Sequence, residues 1–177
     1  MSNLETARST LLSELREHAL VVGEVTLSSG QRASYYVDAR RALLRPAGFR
    51  AAGELLAAAA RELGAAAVGG PVMAAIPLAC AAIAVPGGEG LVGFFVRKDR
   101  KQHGLQRWIE GPVEAGARCL VVEDTVTTGG STVWAIERMR EEGLEVAGAV
   151  CVVEGRAAGR RALGDAPGAP GRAKCNR

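Results

Sequence analysis

The sequence predicts an α/β fold, a mostly parallel central sheet flanked by helices. Three observations carry that prediction. Two stretches, Arg118–Val122 after its first residue and Val146–Val153, are continuously apolar, as strands buried on both faces must be. Apolar strand-like runs alternate with segments of helical periodicity, the pattern of a sheet covered by helices. Finally, 48% of the 177 residues are hydrophobic but only 4% aromatic, and 23 are Gly. The core is therefore expected to rest on Ala, Val and Leu with close backbone approaches. That length suits one domain with a real core, and the apolar fraction excludes disorder along the whole chain.

Element by element, Leu4, Ala7, Leu11, Leu12, Leu15 and Ala19 recur at helical spacing, with Ser2 or Asn3 as the cap. Gly23–Leu27 and Tyr35–Ala39 read as short extended segments around a Ser28-Ser29-Gly30 turn. Pro46 opens a long Ala/Leu helix that closes at Leu63-Gly64, with Pro in the first turn and Gly past the end. Ala66–Gly69 is a short strand, followed by a Gly-Gly-Pro turn and an apolar helix over about Ala74–Ala84. Leu91–Val96 is the next strand, and it leads into a basic segment, Arg97–Gln106, without apolar periodicity. Beyond the run at Arg118–Val122 come an acidic pair, a Thr/Gly turn, a helix over about Ser131–Glu142 and the strand Val146–Val153. From Gly155 onward Gly, Ala, Pro and Arg dominate, and the pattern predicts neither strand nor amphipathic helix. The expected organisation is one domain over 1–154 and an atypical tail over 155–177.

Several classes are excluded at this level. The most apolar stretch, Val68–Pro86, has four Gly or Pro among its first ten residues, which argues against a membrane span. Met-Ser-Asn-Leu-Glu has no apolar h-region, so no secretory signal is expected. Cys80, Cys119, Cys151 and Cys175 are scattered and accompany only two His, so neither a zinc site nor a disulfide framework is expected; buried thiols in a reducing cytoplasm fit better. A net charge of +3 gives no case for nucleic acid. Its distribution is informative: Gly155–Arg177 holds six basic residues and one acid, a local +5, which leaves −2 for Met1–Glu154.

The chemistry concentrates in Cys119-Leu-Val-Val-Glu-Asp-Thr-Val-Thr-Thr-Gly-Gly-Ser131. A buried strand delivers Glu123 and Asp124 to its carboxyl end, where open α/β sheets carry their sites. Hydroxyls and glycines follow just before a helix N-terminus, whose free N–H groups and dipole suit a phosphate. No Lys follows the glycines, so this is not a nucleoside-triphosphate loop. Acids beside a phosphate loop suit neutral sugar hydroxyls, and a sugar phosphate satisfies both halves. The plainer alternative is an ordinary strand-to-helix turn with Asp124 as helix cap. A second cluster puts Arg97, Lys98, Arg100, Lys101 and His103 in seven residues, opposed only by Asp99. Such a segment can neutralise a pyrophosphate leaving group and exclude water; the alternative is a solvated basic loop.

Val121–Ser131 resembles the phosphoribosyl-diphosphate signature of the type I phosphoribosyltransferases. The R-K-x-x-K-x-H-G spacing of Arg97–Gly104 is similar to the mobile catalytic loop of the orotate phosphoribosyltransferases. Gly23–Asp38, which holds the only tyrosines, Tyr35 and Tyr36, resembles that family's N-terminal hood over the orotate ring. The resemblance spans roughly Gly23–Glu154 with its motifs in family order. It departs at Ser28 and Ala74, where some members carry Lys. It departs again at Glu154-Gly-Arg156, where members have Asp-Arg with the Arg on the orotate carboxylate.

What the resemblance implies can be stated residue by residue. The fold is type I phosphoribosyltransferase-like with a small N-terminal hood over about 20–40. The reaction is transfer of the phosphoribosyl group from 5-phosphoribosyl 1-diphosphate to orotate, giving orotidine 5′-monophosphate and pyrophosphate in pyrimidine biosynthesis. Glu123 and Asp124 hold the ribose hydroxyls and stabilise an oxocarbenium-like state. Thr125, Val126, Thr127, Thr128, Gly129, Gly130 and Ser131 bind the 5′-phosphate. Arg97, Lys98, Lys101 and His103 bind the pyrophosphate, with Lys101, His103 and Asp124 catalytic. Tyr35, Tyr36, Thr127 and Arg156 meet orotate. Mg²⁺ is expected through substrate oxygens, with no protein metal site. A homodimer is expected, with loop 97–107 closing over the partner's site, in the cytoplasm, with no nucleic-acid or membrane partner. Two alternatives stay open: a phosphoribosyltransferase for another base, and a non-catalytic sensor of phosphoribosyl diphosphate or degraded paralogue.

Overall fold

The computed structural model describes residues 3–26, 32–99, 107–155 and 174–175. Helix α1 spans Asn3–Glu14 and runs into a π-helical turn, Leu15–Ala19. Ala7 and Leu11, one turn apart, are its buried positions and join the core beneath α3. Strands β1 (Leu20–Thr26) and β2 (Arg32–Val37) pair antiparallel as a separate two-stranded sheet. The pairing Leu20↔Val37 starts the hairpin earlier than the glycine at position 23 suggests.

A short helix α2 (Arg40–Leu43) precedes α3 (Pro46–Glu62), which begins with Pro at its first turn and buries its small residues, among them Gly48, Ala52, Gly53 and Ala60. Then follow β3 (Ala67–Pro71), α4 (Ala75–Ala84), β4 (Val92–Val96), β5 (Ile109–Glu110), β6 (Arg118–Val126), α5 (Gly130–Glu141), β7 (Glu145–Glu154) and β8 (Lys174–Cys175). The main sheet has the order β5-β4-β3-β6-β7-β8, and β5 alone is antiparallel to its neighbour. This is the predicted α/β architecture. One core layer packs α1, α3 and α4 on the sheet through Leu56, Val68, Leu78, Leu120 and Val122. The other packs α5 on the opposite face through Phe94, Val121, Ala135, Ile136 and Met139.

Three local expectations are corrected. Gly69, Gly70 and Pro71 belong to β3, not to a turn. A Cβ at Gly69 would collide with the Phe94 carbonyl oxygen, and one at Gly70 with that of Val122. The glycines answer a close approach of backbones rather than a need to bend. Strand β6 continues through the acidic pair to Val126, because β7 stays paired with it as far as Val126↔Glu154. The tail, finally, contributes a strand: β8 pairs parallel with β7 through Val150↔Lys174 and Cys151↔Cys175. Among the described residues, no helix is long and apolar enough to cross a membrane.

Candidate active site

The parallel strands β3, β4, β6 and β7 end along one edge of the sheet, at Pro71, Val96, Val126 and Glu154. From β3 the chain crosses to β4 on one side, whereas from β6 it crosses to β7 on the other. Loops leaving β3 and β6 therefore part from each other, and the crevice between them is where such sheets bind ligands.

The β6–α5 junction is built around two buried polar side chains, Glu123 at 7% exposure and Thr132 at 2%. The Ser131 hydroxyl donates to Glu123 Oε1 at 2.6 Å, and the Thr132 hydroxyl donates to the other carboxylate oxygen. Glu123 thus braces the first turn of α5. Gly129, the residue before the helix, has φ of 80°, a left-handed conformation that other residues adopt at a cost. No side chain caps that helix start, so Asp124 is not the cap of the plainer alternative. Thr127 and Thr128 are exposed, as are Gly130 and Ser131. Val126 is 3% exposed and its carbonyl accepts from the Gly155 N–H at 2.8 Å. Its side chain belongs to the core, so that only its backbone is left to face a ligand. Glu123 differs from Asp124 in its surroundings: its two oxygens accept from the hydroxyls of Ser131 and Thr132.

Asp124 is the carboxylate that faces the crevice. Its Oδ1 accepts from the Thr125 N–H at 2.6 Å, and its Oδ2 lies 3.9 Å from Arg40 Nε. Burial pushes its carboxyl above the ordinary range, and Asp38 adds to that, while the Thr125 N–H and the Arg40 guanidinium pull the other way. Asp38 and Arg40 are site residues that the sequence did not single out. Arg40 Nε donates to Asp38 Oδ1 at 2.8 Å, and the Asp38 N–H donates to the Ala19 carbonyl at 2.9 Å, so the hood's base is tied to Asp124 through one guanidinium. Asp38 raises the Arg40 pKa most, and Tyr36 adds to it. The only available signal was a charged D-x-R step where a strand ends. Successive strand residues face opposite sides, so Tyr35 and Tyr36 do not line one wall together; Tyr36 is the one acting on Arg40.

Arg97 leaves β4 with its N–H donating to the Trp108 carbonyl at 2.8 Å and its guanidinium on Glu110 at 3.2 Å. Lys98 is exposed. Lys101, His103 and Arg156 lie outside the described residues. Gly155 stands where the family's Arg is expected, and a Cβ there would lie 3.3 Å from Thr127 Cγ2, inside the same crevice. Among the described residues, no group of three or more His, Cys, Asp or Glu could hold a metal. Asp124 is suited to share a hard cation with substrate oxygens, whereas Glu123 is already engaged. Cys80 is exposed; Cys119 is buried, and burial pushes its thiol up to about 12, which leaves it inert.

A switch-point crevice with a braced helix N-terminus and one outward carboxylate defines a sugar-phosphate-binding α/β protein, and comparison places it among known families. The phosphoribosyl transferase domain signature matches residues 42–165. The chain is 46% identical to an orotate phosphoribosyltransferase of Corynebacterium glutamicum over 164 residues, 93% of this chain and 88% of that one. A solved orotate phosphoribosyltransferase of Mycobacterium tuberculosis H37Rv, in complex with Fe(III) dicitrate, superposes with a TM-score of 0.80 at 40% identity, covering 88% of this chain and 89% of that one. The same enzyme in complex with 5-phospho-α-D-ribosyl 1-diphosphate gives a TM-score of 0.75 at 36% identity, covering 89% and 88%. The fold is that of a phosphoribosyltransferase. Within that class, the chain belongs to the orotate phosphoribosyltransferase family.

Proposed function

We infer that this chain transfers the phosphoribosyl group of 5-phosphoribosyl 1-diphosphate to orotate, a glycosyl transfer of pyrimidine biosynthesis carried out in the cytoplasm. The observation that carries the reading is the brace from the buried Glu123 to Ser131 and Thr132, at the start of a helix beside the outward carboxylate of Asp124. Backbone N–H groups of the first turn, with Thr127, Thr128 and Ser131, receive the 5′-phosphate. Asp124 accepts from the ribose hydroxyls and offsets the positive charge that grows on the ring as the diphosphate departs. Lys98, Lys101 and His103 meet that diphosphate. Arg97, tied to Glu110, frames the segment's start. Asp124 is the side chain that would help substrate oxygens hold a Mg²⁺ ion, which would neutralise diphosphate charge. Tyr36 walls the base, with Thr127 at its edge. The homodimer with loop 97–107 over the partner's site rests on the family resemblance.

Steady-state turnover measured with orotate, uracil and adenine tests the reading. Turnover with orotate is expected; turnover with another base alone, which the missing Arg at position 155 would favour, overturns it. Lys101→Ala should cut kcat far more than phosphoribosyl-diphosphate binding, as a contact made mainly in the transition state does. Equal loss of both counts against that role. Mixing inactive Asp124→Asn and Lys101→Ala chains should restore activity if each site takes a loop from its partner.

A further inference from the structure

At the root of the hood one guanidinium stands between two carboxylates and is bonded to only one of them. Asp38 follows the last residue of β2, and Arg40 is the first residue of α2. Asp38 Oδ1 accepts from Arg40 twice, from Nε–H at 2.8 Å and from the backbone N–H at 3.3 Å. The Asp38 N–H is itself fixed to the Ala19 carbonyl. Asp124 Oδ2 lies 3.9 Å from the same Nε, too far for a hydrogen bond. Yet Asp124 is the less exposed acid, its side chain at 16% against 23% for Asp38. A carboxylate further from water gains more from a cation, so Arg40 is held by the acid that needs it less.

We propose that Asp38 is a positioning residue that keeps the Arg40 guanidinium off Asp124, so that Asp124 stays open to the ribose hydroxyls. The inference rests on the functional reading above. A guanidinium carries its N–H groups in a rigid fork and can close on a carboxylate with two parallel bonds. Turned onto Asp124 in that way, Arg40 would take the oxygens that a sugar hydroxyl needs. Held at 3.9 Å, it still favours the ionised form of Asp124 and leaves the carboxylate unoccupied. The charge of Asp38 acts on Asp124 in the opposite sense. Tyr36, Asp38 and Asp124 are the groups that act on Arg40, so the hood and the strand end β6 meet at this one side chain. Stabilising the start of α2 would account for the bond to the Arg40 backbone N–H. It would not account for the Arg40 side chain folded back onto the same oxygen.

The test is a double-mutant cycle in the full chain, with Asp38→Asn, Arg40→Gln and the two combined. Asp38→Asn keeps an acceptor oxygen for the start of α2 and removes the charge that holds the guanidinium. It is expected to raise KM for phosphoribosyl diphosphate by about tenfold with kcat changed less than about twofold, because substrate must first displace Arg40 from Asp124. In the chain already carrying Arg40→Gln, the same change should move KM by less than about twofold. An unchanged KM in Asp38→Asn overturns the proposal. So does an equal rise with and without Arg40, which would make Asp38 a support of the hood or a contact of its own. Titration of the Asp124 carboxyl, followed by carbon NMR, needs no turnover. Asp38→Asn should lower its midpoint, and by more with Arg40 present than in the Arg40→Gln chain; equal shifts in the two backgrounds overturn the proposal. Should the wild-type chain fail to turn over orotate, the functional reading falls, while the titrations still decide whether Asp38 withholds Arg40.

Discussion

Strands β6 and β7 run side by side in parallel from Arg118↔Glu145 to Val126↔Glu154, yet their ends differ in kind. The end of β6 carries a buried carboxylate that holds the Ser131 hydroxyl, an outward carboxylate and a loop with exposed Thr127 and Thr128. The end of β7 carries Glu154 and a glycine. The difference follows from position in the sheet. Strand β6 lies between β3 and β7 with helices on both faces, an enclosure in which Glu123 can be buried because Ser131 and Thr132 supply donors to both its oxygens. Strand β7 is covered on its outer side by a two-residue strand, and its end is free to vary without disturbing the core. The two carboxylates of the proposed site thus lie on the inner strand, and the departure from the family resemblance, Gly155, follows the outer one.

The comparison is broken most severely at Asp124. Asp124→Asn should reduce turnover by about 10²–10³-fold, as loss of a group facing transition-state charge does. The same change should raise the thermal midpoint at neutral pH. Burial lifts the folded carboxyl's pKa above its unfolded value, so the folded state retains a proton that the unfolded state has released. In the window between the two values stability grows as pH falls, and above it the ionised group is a standing cost. Asn removes that cost. Calorimetry of the wild type and of Asp124→Asn from pH 4 to 8 checks the sign: a wild-type midpoint that falls with falling pH relative to the variant contradicts it. Arg40→Gln should move the acid limb of kcat/KM to higher pH, since Arg40 favours the ionised carboxylate.

Glu123→Ala comes next, and it breaks the same strand end by a different route. The buried Thr132 hydroxyl loses its acceptor, which costs about 1–3 kcal/mol, or several degrees in the thermal midpoint of a chain of this size. Phosphoribosyl-diphosphate affinity should fall by about tenfold as the first turn of α5 loosens. Glu123→Gln, which keeps one acceptor, should recover most of the stability. An affinity equal to wild type in Glu123→Ala would show that the loop holds its shape without the brace.

What was legible in the sequence divides along the same lines. Strands β6 and β7 and helices α3 and α5 could be read because apolar runs, an N-terminal Pro and terminal Gly record local requirements. The two corrected glycines were readable as special but not as to why, since the atoms they avoid, the carbonyls of Phe94 and Val122, come from neighbouring strands. Strand β5 is two residues whose pairing depends on β4, and β8 is two residues in a stretch rich in Gly, Ala, Pro and Arg. Neither carries a pattern of its own. At the site, residue types were legible and their division of labour was not. Nothing local distinguishes Glu123 from Asp124; alternation along β6 turns one inward and the other toward Arg40, and Arg40 arrives from the hood.

A gain of function sharpens the comparison from the β7 side. Gly155 has no left-handed φ, and a Cβ there would meet Thr127 Cγ2 at 3.3 Å and the Val126 oxygen at 3.4 Å, neighbours that must yield by only a few tenths of an ångström. Gly155→Arg places a guanidinium beside Thr127. A charged hydrogen bond to the orotate carboxylate is worth about 1.5–3 kcal/mol, so KM for orotate should fall by about tenfold. An unchanged KM would mean that another cation already serves the carboxylate, and Arg156→Ala then identifies it by raising KM.

The smallest effect is expected from the tail itself. Deleting 157–177 keeps Arg156 and removes β8, whose ladder touches β7 at two positions. Each backbone hydrogen bond contributes about 0.5–1.5 kcal/mol net, so the thermal midpoint should drop by a few degrees. Turnover of orotate should stay within about twofold at low protein concentration, because β7 does its work near the site through Gly155 and the Val126 carbonyl, which the deletion leaves in place. The consequence should appear instead as association. Val150 and Cys151 would present unpaired backbone groups along an open edge, and sedimentation velocity should show concentration-dependent self-association absent from the full chain. A deletion that stays monodisperse but loses turnover would reverse the comparison, making the outer strand a working part of the site rather than its cover.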